Sequence, residues 1–380
     1  MRVANIIEEG KLGGPQIRLM RVAHALKDRV RTIVIMPEEN SEPFRKQCDA
    51  LGVPYKIISM SRITKEWYVA LCYVLFSGLE IARLVAFLRK NCFDLVHVSG
   101  GSWQYKGVIA GKLAGKKVLW HLNDTSMPWL LRRLFAVFSR YADGYIFASD
   151  RSREYYDSLV KKGKPEFVIP APVDTVRFDP AHTYYDDECI IKQWSGKIVI
   201  GTMANISPVK GLDVFIRAAG ALNEHFDNLV FVVVGASYRS QQHYFEKLRR
   251  LCDELSVSNV EFVGYRTDVR SLLKRFDIYV CSSLAESSPI SVWEAMSMAK
   301  PVVSTDVGDV PRYLQDFVSG FIVDVGNAAG LQDRLAILIR DADMRQEFGL
   351  KARETAVREL NIEKCAHRHV DAYTYIVACQ

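Results

Sequence analysis

One feature constrains this chain more than any other: short apolar runs alternate with longer segments of helical period, and the cycle is run through twice. Strands of a parallel sheet are buried on both faces and read as continuous apolar runs, and each needs a crossover of a dozen or more residues before the next. In the first half this pattern predicts strands at Arg2–Ile7, Thr32–Met36, Leu95–Val98, Lys117–His121, Gly144–Phe147 and Phe167–Ile169. It predicts helices at Pro15–Leu26, Glu66–Lys90, Trp103–Leu113, Pro128–Tyr141 and Arg151–Lys161. A proline-dense stretch from Pro170 to Pro180 follows; proline fixes φ and removes a donor, so the stretch reads as a stiff extended linker.

The second cycle predicts strands at Lys197–Gly201, Leu229–Val234, Val260–Phe262, Ile278–Val280, Pro301–Ser304 and Phe321–Val323, with a helix at Leu212–Leu222. From Leu331 to Cys379 the period is helical and no strand signal remains. Ile362, Ala366, Val370, Tyr373 and Val377 there form one apolar face three or four residues apart, which needs a surface to cover. Two successive sets predict an α/β fold of two Rossmann-like domains with a cleft between them. Ligands in such sheets sit beyond the carboxyl ends of the strands, so the loops after strands carry the chemistry.

Composition agrees. With 380 residues, 49% hydrophobic and 25% charged, the chain is neither disordered nor fibrous. No uncharged apolar run reaches the length of a membrane span, and Met1 to Glu9 lacks the pattern of a signal peptide, so a cytoplasmic location is expected. The eight cysteines are scattered without a C-x-x-C pair and read as reduced thiols. Residues 1–170 carry 27 Lys+Arg against 16 Asp+Glu (+11), and the remainder 23 against 28 (−5), which gives the net +6. A basic half suits an anionic partner: nucleic acid, a membrane surface or a phosphorylated substrate.

Three loops stand out. Gly10-Lys11-Leu12-Gly13-Gly14-Pro15 lacks the G-x-G-x-x-G spacing of a dinucleotide fold, but Pro15 suits a first helical residue and the glycines admit close approach of an anion. Gly107 to Lys112 is followed by Leu113 and is no P-loop, and no G-x-S-x-G elbow occurs. Asn205-Ile206-Ser207-Pro208-Val209-Lys210-Gly211 follows a strand and offers one lysine to a phosphate. After Ile278–Val280, Ser288 reads as an N-cap and Pro289 as the first residue of a helix whose positive end can hold a diphosphate. Glu286 precedes that helix and Glu294 lies on it, so two carboxylates can reach two hydroxyl-bearing parts of one ligand. The literal Asp341-Ala342-Asp343 lies between late helices and reads as a helix-terminal turn.

Glu286 and Glu294 match the E-x7-E motif of retaining glycosyltransferase family 4, and the chain resembles that family along its whole length. Gly13-Gly14, Pro170 to Asp174, Val209-Lys210-Gly211, Val263 to Val269, Glu294-Ala295-Met296, Lys300 to Val303, Ser319 to Val323 and Gly349 to Arg353 look like its landmarks in order. The resemblance implies a GT-B fold: an acceptor domain at 1–170, a nucleotide-sugar domain at 175–362, and a closing helix (362–380) that returns to the first. It implies a metal-independent, retaining enzyme that needs no cofactor beyond its UDP- or GDP-sugar donor. By motif match Glu294 resembles the carboxylate on the ribose and Glu286 the one beside the donor sugar. Ser287, Ser288, Pro289 and Ile290 resemble the loop that holds sugar and diphosphate, Lys210 the lysine on the diphosphate, and His121 the pocket histidine. Gly14, Asn205 and Tyr265 complete the donor-side set. Asn205 is a departure, since many members place an arginine there. Ala171-Pro172 is another, standing where Asn-Gly is usual.

The implied acceptor is a saccharide or a lipid-linked sugar in surface polysaccharide or lipopolysaccharide assembly; the alternative is a soluble small-molecule glycoside or disaccharide. The basic, apolar segments Glu66–Lys90 and Pro128–Tyr141 suit either burial against the sheet or peripheral attachment to an anionic membrane. A nucleic-acid partner would need interleaved basic and stacking residues or a known module, and neither is present.

Overall fold

The computed structural model describes residues 1–62, 67–184 and 188–379. The chain divides into two units, Met1–Pro172 with Ile362 onward, and Val173–Asn361.

The first unit holds β1 (Arg2–Ile6), β2 (Arg31–Met36), β3 (Tyr55–Ile57), β4 (Leu95–Val98), β5 (Lys117–Leu122), β6 (Gly144–Phe147) and β7 (Glu166–Val168), all parallel in the order β3-β2-β1-β4-β5-β6-β7. The order reverses between β1 and β4, the place where a doubly wound sheet opens a crevice. Along β5, Val118, Trp120 and Leu122 enter one apolar layer while Leu119 enters the other, the two-residue alternation of a strand covered on both faces. The helix Glu42–Leu51 and the short edge strand β3 add to the elements expected from sequence. The helix expected from Glu66 runs Trp67–Lys90, and Glu66 itself lies outside the described residues.

The last helix, Ile362–Ala378, belongs to this unit. Its buried stripe is Cys365, Ala366, His369, Ala372, Tyr373 and Ile376, whereas Val377 is exposed, so the face is turned from the one the apolar residues suggested. The reason is local: Ile376 seats against Gly144, where even a methyl group would come within 2.5 Å of its Cδ1.

The second unit holds β8 (Ile198–Met203), β9 (Leu229–Val234), β10 (Val260–Gly264), β11 (Ile278–Cys281), β12 (Val302–Thr305) and β13 (Gly320–Val323), again all parallel, in the order β10-β9-β8-β11-β12-β13. Its reversal falls between β8 and β11. The expected stiff linker is packed at two points: Val173 is fully buried and its N–H donates to Leu360 O (2.9 Å). Phe178 is 3% exposed, and its carbonyl accepts from Ser297 Oγ (2.7 Å). Val173 and Phe178 thus anchor the stretch by burial, while Val176 and Arg177 between them stay exposed.

Candidate active site

The loops after β8 and β11, the two strands at the reversal, are stitched together through the backbone of the Val209–Lys210 turn. Leu284 N–H donates to Val209 O (2.7 Å), and Ser282 Oγ donates to Lys210 O (3.0 Å). Pro208–Lys210 is a single 3-10 turn, and Gly211 follows it with φ +57°. A Cβ at Gly211 would lie 2.1 Å from Ser282 O, so only glycine permits this contact. The turn therefore holds Lys210 over the loop that carries Glu286.

Lys210 Nζ and the Glu286 carboxylate form an ion pair, and Ser283 Oγ donates to the same Glu286 oxygen (2.9 Å). The two side chains are 26% and 16% exposed, buried enough to be fixed and open enough to meet a ligand. Burial acts to lower the lysine's pKa, but the charge and hydrogen bond of Glu286 prevail and hold the ammonium above its ordinary value. Lys210 is thus a permanent cation at neutral pH. The Glu286 loop is supported from below by Thr305 Oγ1, which donates to Ser283 O (2.6 Å), and by Asp309 N–H, which donates to Ser287 O (2.9 Å).

The helix after this loop runs Ile290–Ser297 with Pro289, not Ser288, at its N-cap. Pro289 has ψ 99°, outside the helical range, and its carbonyl accepts the first helical bonds from Val292 and Trp293 (3.0 and 3.3 Å). The Ser288 hydroxyl instead accepts from Trp293 Nε1 (3.1 Å). Ser287 and Pro289 are buried and Ile290 half-buried. Glu294, one turn into the helix, is 8% exposed.

The other expected positions are spread out. Asn205 lies at the end of β8, and its Oδ1 accepts from Ala236 N–H (3.1 Å), so it ties the β8 and β9 loops and brings no charge. Tyr265 follows β10, two strands from β8, and is 56% exposed. In the first unit Gly14 opens the helix Gly14–Ala25, with nothing within 4 Å of where its Cβ would be. His121 is the fifth residue of β5 and has no exposed surface. Its Nε2 accepts from Arg18 Nη1 (2.6 Å), and its ring stacks at 5.4 Å on His97.

Asp341 caps the helix Ala342–Thr355 by accepting from Met344 N–H (2.8 Å). Among the described residues no three His, Cys, Asp or Glu side chains are grouped as metal ligands. Sequence reasoning did not reach Ser283, Thr305 and Asp309; each is an ordinary polar residue until the fold places it under the Glu286 loop.

A cation, a carboxylate and a helix start gathered at the reversal of a doubly wound sheet suit a ligand that carries both phosphate and hydroxyls. The two units match solved GT-B glycosyltransferases. Anabaena HepE, crystallised with UDP and glucose, superposes with a TM-score of 0.84 at 20% identity over 98% of this chain and 99% of its own. Sucrose-phosphate synthase from Thermosynechococcus elongatus gives 0.81 at 15% over 100% of both.

The sequence narrows the class to a family. The model described as Glycosyltransferase Family 4 matches residues 12–177, and that described as Glycosyl transferases group 1 matches 190–355. The chain belongs to these glycosyltransferases. Among its relatives is a Campylobacter jejuni N,N'-diacetylbacillosaminyl-diphospho-undecaprenol alpha-1,3-N-acetylgalactosaminyltransferase, 22% identical over 94% of this chain and 95% of its own. Another is a Mycobacterium leprae phosphatidyl-myo-inositol mannosyltransferase, 23% identical over 95% and 92%.

Proposed function

We propose that the chain is a retaining, metal-independent glycosyltransferase that moves a sugar from a UDP- or GDP-sugar to a saccharide or lipid-linked acceptor of a surface glycan. The observation that carries this reading is the Lys210–Glu286 pair at the β8/β11 reversal, in the loop that leads into the helix bearing the buried Glu294. The donor domain is the second unit and the acceptor domain the first. Lys210 and the amides at the start of the Ile290–Ser297 helix take the diphosphate, whose charge grows as the sugar leaves. Glu286 orients the sugar hydroxyls and keeps Lys210 charged and in place. The acceptor attacks on the face the diphosphate leaves, and the departing phosphate oxygen takes the acceptor's proton. His121 remains the pocket histidine of this reading; it is enclosed in the first unit, where Arg18 fixes its ring. The acceptor class is supported by relatives whose names specify undecaprenol-linked and phosphatidylinositol substrates.

Glu294 accepts from both ribose hydroxyls in this reading. Glu294→Gln keeps its shape and removes the charge-assisted part of those bonds, about 1.5–3 kcal/mol, so donor affinity measured by calorimetry should fall at least about tenfold. Unchanged affinity would overturn the assignment.

A lipid-linked acceptor implies work at a membrane surface, and one face of the first unit suits it. Among the described residues no helix is long and apolar enough to cross a membrane. On the helix Trp129–Phe138, Phe135 is fully buried while Trp129 is 70% exposed, and Leu134, Val137, Arg132 and Arg133 are exposed beside it. Aromatic, aliphatic and cationic groups on one face fit the headgroup boundary of an anionic bilayer. The full chain should sediment with vesicles rich in phosphatidylglycerol and release in high salt, and Arg132→Glu with Arg133→Glu should abolish most of the binding. No sedimentation at low salt would remove this partner.

A further inference from the structure

Arg18 is 3% exposed, and no carboxylate among the described residues pairs with it. A buried guanidinium without a counter-charge is costly, and its surroundings show what meets it. Nη1 donates to His121 Nε2 (2.6 Å), while Nη2 is buried without a partner. The Asn5 amide oxygen position and Ser99 Oγ are also buried without partners. All three residues line one small cavity of about 10 Å³, together with Thr32, His369 and Tyr373.

The hydrogen-bond chain fixes what these atoms are. Arginine only donates, so His121 Nε2 is the acceptor and its proton sits on Nδ1. That proton is donated to His97 Nε2 (3.3 Å), which leaves the His97 proton on Nδ1, donated to Tyr373 Oη (2.8 Å). The Asn5 amide atom 3.3 Å from His97 Nδ1 must then be its oxygen, and the NH2 group takes the unpartnered position on the cavity wall. His369 donates Nδ1–H to Cys365 O (2.8 Å) and adds no charge. The wall thus presents N–H from Arg18 and Asn5, O–H from Ser99, Thr32 and Tyr373, and one positive charge, while His369, neutral with its proton on Nδ1, contributes no donor.

We propose that this cavity binds a single monatomic anion, chloride under physiological conditions. Three of its donors are otherwise unpartnered, and the anion supplies the charge that Arg18 lacks. A water molecule would accept from only two of the donors and leave the guanidinium uncompensated. About 10 Å³ admits one water-sized centre, which excludes phosphate, sulfate and carboxylates. The site joins β1 through Asn5, the Gly14–Ala25 helix through Arg18, the end of β4 through Ser99 and the last helix through Tyr373. The anion is therefore a clasp that fastens the chain's last helix to the sheet of its own unit.

The test uses the full chain. Crystals grown with bromide in place of chloride should give an anomalous peak within hydrogen-bonding distance of Arg18 Nη2. In solution, exchanging gluconate for chloride at constant ionic strength should raise Tm by about 3 °C per tenfold chloride once the site begins to fill. Arg18→Met should make Tm independent of chloride; if that variant does not fold, the wild-type series and the bromide crystal decide. Density of a water without anomalous signal would overturn the proposal. So would a bromide peak with a Tm flat in chloride, which would mark binding at crystal concentration only.

Discussion

Lys210→Ala should lower kcat/KM by at least about 10²-fold, the scale for losing one preorganised charge stabiliser. The expectation is large because the loop carries no second cation. Where many relatives in the proposed class place an arginine, this chain has Asn205, and its side chain is committed to Ala236 N–H. Leaving-group charge then falls on Lys210 and the helix start alone. The mutation also leaves the Glu286 carboxylate, one-sixth exposed and held by Ser283, without its cation beside a diphosphate. Glu286→Gln in the Lys210→Ala background should therefore recover part of the donor affinity, though not the rate. Steady-state kinetics with varied donor separates the two effects. A loss below tenfold for Lys210→Ala would mean that a cation outside this loop neutralises the diphosphate.

The sheets were readable because a parallel strand buried on both faces leaves a mark no neighbour can hide: Leu229–Val234 is six apolar residues in a row and all six are buried. What was not readable is polar or marginal. The edge strand Tyr55–Ile57 has three residues and no fully buried side chain, so its sequence carries no such mark. Helix Gln242–Glu254 buries only Leu248 and Leu251 fully, a stripe too thin to stand out among its charges. At the proposed site Lys210, Glu286 and Glu294 were legible through motif spacing. The residues that hold them were not, because Ser282, Thr305 and Asp309 act through backbone contacts that exist only once β8, β11 and β12 lie side by side. Arg18, His97 and His369 show the limit most plainly. They are spread over 350 residues of sequence, and each alone reads as an ordinary helix or core residue.

Those histidines set the last expectation: the first unit should lose stability steeply between pH 6.5 and 5. Burial, with Arg18 and neighbouring imidazoles adding to it, holds the pKa of His97 and His121 well below the usual value, and burial brings His369 down to about 4. The unfolded chain takes up a proton at each near pH 6.5, whereas the native chain refuses it. The unfolded state then binds more protons, so stability falls as pH falls. Each histidine contributes about 1.4 kcal/mol per pH unit in that window.

Glu8 acts in the opposite direction. Burial raises its pKa to about 7 against the pull of Lys106, so the native state takes up a proton there while the unfolded carboxyl stays ionised until near pH 4.5. Three protons less one leaves a net uptake of two on unfolding, or about 2.7 kcal/mol per pH unit. Urea unfolding followed by hydrogen exchange in β4 and β5 from pH 7.5 to 5 measures this slope directly. His369→Gln should reduce it by one proton, and Glu8→Gln should steepen it by one. A flat profile between pH 7 and 5 would show that the cluster accepts charge in the folded state. The Arg18–His121–His97–Tyr373 chain forbids that, because a protonated His121 would turn an N–H toward the Arg18 N–H it now receives.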